Sequence, residues 1–65
     1  MKILLGEYMF KNKLTARQVQ IMTGVSKSTI NRIANEQMCP RMDTLEQLAR
    51  GLKIKISDLF ESDYK

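Results

Sequence analysis

The chain has 65 residues and a mass of 7.5 kDa, room for one small domain, which argues against a deep, enclosed active site. Its 11 Lys and Arg against 7 Asp and Glu give a net charge of +4, its only cysteine is Cys39 and it has no histidine; an internal disulfide is excluded, and without grouped carboxylates no metal or cofactor is expected. With 43% hydrophobic residues, about fifteen apolar side chains at helical spacing, each worth roughly 1.5–3 kcal/mol, offset chain entropy with little to spare.

The opening "MKILL" imitates the start of a secretory signal. Gly6 and Glu7 stop the apolar run well short of the about 7–15 residues such a signal needs, and no later segment has membrane-spanning length. The expectation is a cytoplasmic protein with no membrane partner.

Periodicity is helical throughout, predicting an all-α domain of five short helices and no strands over residues 1–61, with a frayed tail at 62–65. The first helix, about 2–12, places Met1, Leu5, Tyr8 and Met9 on one face, flanked by Leu4 and Phe10. Thr15 offers an N-cap hydroxyl with Gln18 three residues on, the capping-box arrangement, opening a helix over 16–23 that Gly24 ends. Ile21 and Met22 cannot both face inward beside Val19 and Thr23, so one is expected outside, either as a scattered surface residue or as part of a partner patch. Ser26 caps the next helix, 27–35, in which Ile30, Ile33 and Ala34 follow i, i+3, i+4 spacing and face the interior, turning Ser28, Arg32 and Asn35 away from it. In the connector 36–40, Met38 and Cys39 carry the same two options as Ile21 and Met22. A helix over 42–52 buries Leu45, Leu48, Ala49 and Leu52, and Ile56, Leu59 and Phe60 repeat the pattern in a final short helix.

The positive charge is unevenly placed. Residues 8–35 hold Lys11, Lys13, Arg17, Lys27 and Arg32 and no acid, whereas residues 36–65 nearly balance. Alone, such a field fits a polyanionic partner or simply a soluble surface. The solvent side of the 27–35 helix adds Lys27, Ser28, Asn31, Arg32 and Asn35, all hydrogen-bonding and none acidic. Catalysis finds no support: no histidine, no paired carboxylates on one face, no nucleophile beside a base, and no phosphate-cradling loop, since Gly6, Gly24 and Gly51 are isolated.

Two short helices joined by a glycine-containing turn form the unit that lays its second helix in the DNA major groove. With the stretch "GVSKSTINRI", the Pro40 connector followed by "TLEQLA", and the closing "LKIKISDLF", residues 4–61 resemble the lambda-repressor-like helix-turn-helix family of phage repressor and Cro proteins, the Xre-like regulators. The resemblance implies base-edge contacts from Lys27, Ser28 and Arg32, beside which Asn31 can read adenine. It also implies backbone contacts from Thr15, Ala16, Arg17, Asn35, Gln37 and Arg41, while the amides of the helix capped by Ser26 point where phosphates lie. The function implied is a sequence-specific regulator of transcription, a repressor, binding double-stranded DNA as a homodimer on a palindromic operator. Two rivals stand beside it: an antitoxin that binds a toxin and its own promoter, and a module that binds protein rather than DNA.

The sequence departs from its relatives in places. Met9 and Ala34 stand where many relatives pair an arginine with a glutamate, a joint loss that leaves the fold intact. Gln20 replaces a small alanine pressed against the recognition helix, which implies a wider spacing. Asn35-Glu36 replaces the usual Asn-Gly, and Lys55 replaces the usual Ser or Thr cap, with Ser57 as a substitute.

Overall fold

The two central helices start where a hydroxyl meets their first free amides. The computed structural model describes residues 2–64 and runs β1 (Lys2–Ile3), α1 (Leu5–Lys11), α2 (Ala16–Thr23), α3 (Lys27–Ala34), α4 (Met42–Leu52), a 3-10 turn (Ile56–Leu59) and β2 (Phe60–Glu61). At Thr15 the capping box is complete: Thr15 Oγ1 accepts the Gln18 amide at 3.1 Å and Gln18 Oε1 accepts the Thr15 amide at 2.8 Å. Ser26 Oγ accepts the Thr29 amide at 3.3 Å and donates to Thr29 Oγ1 at 2.8 Å.

The five-helix, strand-free expectation is corrected at both ends. Residues 2 and 3 are extended, and β1 pairs antiparallel with β2, Lys2 opposite Glu61 and Ile3 opposite Phe60; the Leu4 amide extends the ladder to the Leu59 carbonyl at 2.8 Å. The first helix therefore begins at Leu5 rather than residue 2. The last segment forms only one 3-10 turn, because Phe60 at φ −147°, ψ 157° is drawn into the ladder. At its start the Asp58 carboxylate accepts the Lys55 amide at 3.1 Å. Glu61 lies in β2, and Ser62 Oγ accepts the Tyr64 amide at 3.2 Å. Met1, placed by periodicity on the first helix, and Lys65 of the tail lie outside the described residues.

The core comprises Leu5, Val19, Val25, Ile30, Ile33, Leu45, Leu48, Ala49, Leu52 and Leu59. Phe60, expected inside, is half-buried, as is Ala34, while Phe10 projects into solvent. Ile21 and Met22 are both exposed, against the expectation that only one would be.

Three helices end in the same way. The Leu14 amide reaches Met9 O (2.8 Å) and Lys13 reaches Phe10 O (3.3 Å); Gln37 reaches Arg32 O (2.8 Å) and Glu36 reaches Ile33 O (3.1 Å); Ile54 reaches Ala49 O (2.9 Å) and Lys53 reaches Arg50 O (3.3 Å). These are Schellman motifs, whose penultimate amide donor adopts the left-handed conformation; Lys13, Glu36 and Lys53 have φ of 55°, 59° and 59°. Glycine usually takes that place, and none of the three is glycine.

Two glycines are spent on close approach instead. A Cβ on Gly6 would lie 2.7 Å from the Ala34 carbonyl oxygen, so α1 sits backbone-close on the last turn of α3. A Cβ on Gly51 would lie 2.6 Å from both Met22 O and Thr23 Cα, which sets α4 directly against the end of α2. Gln47, one turn earlier, donates from Nε2 to the Thr23 carbonyl at 3.0 Å. Alanine is otherwise favoured over glycine inside a helix by about 1 kcal/mol. Gly51→Ala is nevertheless expected to destabilise the domain by about 1–3 kcal/mol, because the atoms it meets are backbone and cannot step aside; urea or thermal unfolding followed by circular dichroism measures it.

Candidate nucleic-acid interface

The turn between α2 and α3 is built around Thr23, the buried polar side chain of the described core. Its hydroxyl donates to the Val19 carbonyl at 2.7 Å and accepts the Val25 amide at 3.2 Å, satisfying a group that the reversal of the chain leaves unpaired. Gly24 takes the left-handed conformation, φ 79°, and its amide closes α2 on Gln20 O at 2.8 Å. The Gln20 side chain is exposed, so its bulk is not wedged between α2 and α3 and the wider spacing it implied has no cause.

Ile30 and Ile33 anchor α3 in the core at 0% and 1% exposure. With that stripe fixed, 3.6-residue periodicity turns Lys27, Ser28, Asn31 and Arg32 outward together with Asn35, and all five are exposed. The first turn of α3 carries no acid, and its amides beyond those met by Ser26 and the helix itself add a partial positive charge at that end. Of the side chains expected along the backbone-facing rim, Thr15, Arg17, Ser26, Gln37 and Arg41 are exposed and Ala16 is half-buried. Thr15 and Ser26 serve as helix caps, so their hydroxyls are already engaged within the protein.

Among the described residues the ion pairs are Lys2 with Glu7 and Arg41 with Asp43, each at 3.0 Å. Arg17, Lys27 and Arg32 are in neither. The hydrogen bond that Lys2 donates to Glu7 raises the pKa of Lys2, and the one that Arg41 donates to Asp43 lowers that of Asp43. Both pairs are exposed and add little to stability. The Arg41 pairing escaped the sequence reading, although Asp43 two residues on was a visible signal.

A family model matches residues 5–63: the Cro/C1-type helix-turn-helix DNA-binding domain. The chain belongs to that family. No curated protein and no solved structure gives a significant match. The Cro/C1-type domain is a DNA-binding one. Among the described residues, no helix is long and apolar enough to cross a membrane.

In this Cro/C1-type domain the end of α3 carries a local conflict. Glu36, not Asn35, takes the left-handed position; Asn35 has φ −90°, ψ 9°. A residue with a Cβ costs on the order of 1–2 kcal/mol there, and glycine removes that cost while adding some unfolded-chain entropy. Glu36→Gly is expected to stabilise the domain by about 0.5–1 kcal/mol in urea unfolding. Glu36→Ala, which removes the charge and keeps the Cβ, is the control and should give no such gain.

Proposed function

We propose that this DNA-binding domain is a sequence-specific regulator of transcription, acting as a repressor, that reads the major groove with α3. The observation that carries the reading is the outward face of Lys27, Ser28, Asn31 and Arg32, free of acids and held by Ile30 and Ile33. Arginine or lysine can fork onto guanine O6 and N7, asparagine can pair with adenine N6 and N7, and serine can donate or accept. Thr15, Ala16, Arg17, Ser26, Asn35, Gln37 and Arg41 form the rim that faces the phosphates, positioning the helix without reading sequence. A module this small covers modest DNA surface, so two copies on half-sites about 34 Å apart supply the affinity and make the operator palindromic. Selection of bound sequences from random duplex DNA tests this directly: a palindromic consensus supports it, and recovery of no consensus defeats it.

Two substitutions separate the roles. Arg32→Ala should lose about 1–3 kcal/mol on the selected site and relax preference at one base pair; equal loss on every sequence would move Arg32 to the backbone. Arg17→Ala should weaken all duplexes alike and reduce the slope of log K against log salt by about 0.9. An unaltered slope would remove Arg17 from the rim.

A second reading draws on Ile21 and Met22, exposed at 75% and 46%. Neighbouring apolar side chains in water suit a protein partner, as in an antitoxin that binds both a toxin and its own promoter. Co-purification with the product of a neighbouring gene, lost on Ile21→Ser, distinguishes it.

A further inference from the structure

Arg41 is the rim cation whose charge is already met within the protein. Its Nη2 lies 3.0 Å from Asp43 Oδ2, and Asp43 Oδ1 accepts the Thr44 amide at 2.9 Å. The carboxylate is thus tied by one oxygen to the first turn of α4, the end of a helix that favours an acid, and holds the guanidinium with the other. Buried Pro40 fixes the direction in which the chain enters α4, and the two side chains are 84% and 66% exposed, so the pair stands at the surface as a unit.

We propose that Asp43 sets how strongly this domain holds DNA irrespective of sequence, by cancelling the charge of Arg41 so that the pair adds no net cation to the rim. The inference rests on the placing of Arg41 beside the phosphates and goes beyond it. Affinity for a polyanion comes largely from counterions released as protein cations replace them. A guanidinium with a carboxylate 3.0 Å away replaces none on balance. If the guanidinium swings toward a phosphate, the carboxylate remains close behind and repels the same phosphate. Arg17, Lys27 and Arg32, in neither ion pair of the described residues, bring their full charge. Asp43 therefore biases the domain away from bulk DNA and leaves more of its affinity to the base edges read by α3.

The test is the salt dependence of binding to a mixed-sequence duplex, for the full chain and for Asp43→Asn. An asparagine carbonyl can still accept the Thr44 amide, and a circular-dichroism melt checks that the fold is kept. Asp43→Asn should bind several-fold tighter, with a slope of log K against log salt steeper by about 0.9. The double variant Arg41→Gln/Asp43→Asn should return to the wild-type slope. It gives a second decision even if Asp43→Asn melts early, since an independent Arg41 contact would leave the double variant shallower than wild type. Asp63→Asn, the same charge change outside any ion pair of the described residues, should leave the slope near wild type.

An unaltered slope in Asp43→Asn, a shallow slope in the double variant, or equal steepening in Asp63→Asn each overturns the proposal while leaving DNA binding in place. A wild-type protein that binds no duplex at low salt overturns the functional reading and this inference with it.

Discussion

The helix-turn-helix unit is braced at a crossing where α4 presents a glycine to the end of α2. Gly51 lets α4 touch the end of α2, and Gln47 fastens the same point by bonding the Thr23 carbonyl. Thr23 in turn spans the reversal into α3 by holding Val19 on one side and Val25 on the other. α4 thus braces the end of α2 from behind, while Thr23 and the left-handed Gly24 turn the chain into α3. Packing of Ile30 and Ile33 then fixes the rotation of α3 about its own axis. A recognition face needs both settings, since tilt decides where the helix lies in a groove and rotation decides which side chains meet the floor.

Charge is distributed to suit that geometry. The acid-free segment 8–35 contains the helices expected to meet DNA, and its cations on α2 and α3 lie outside the ion pairs of the described residues. All 7 acids lie outside that segment; among them Asp58 caps, Glu7 and Asp43 pair, and Glu36 sits in the bend at the close of α3. Gly6 lets the backbone of α1 approach the Ala34 carbonyl at the end of α3, and Met9 and Ala34 are both half-buried without a charge between them.

How much of this was legible in the sequence varies with the range of the interaction. The caps at Thr15 and Ser26, the stripes of α3 and α4 and the outward set on α3 all follow from spacing within a few residues, and all were readable. The two-residue strands were not, because alternation over two positions is no pattern; only pairing with residues nearly a whole chain away defines them. The same pairing shortened both terminal helices. Gly51 and Gly6 are isolated glycines in the sequence, and their role lies in neighbours from other helices. The left-handed residue after α3 fell on Glu36 because the hydrogen bonds to Arg32 and Ile33 count residues from the helix, overriding the local preference of Asn35.

The β1–β2 ladder brings Lys2 and Glu61 side by side, about one strand spacing of roughly 4.8 Å apart. Closing it encloses almost the entire polypeptide, so it gathers the largest loop entropy for the fewest bonds and belongs to the late, easily opened part of the landscape. Chain running outward from Lys2 and from Glu61 departs from one spot on the molecule. A tether joining the extremities could be very short, and a fresh opening in the connector around Gln37 would yield a permuted chain with its helices still in register.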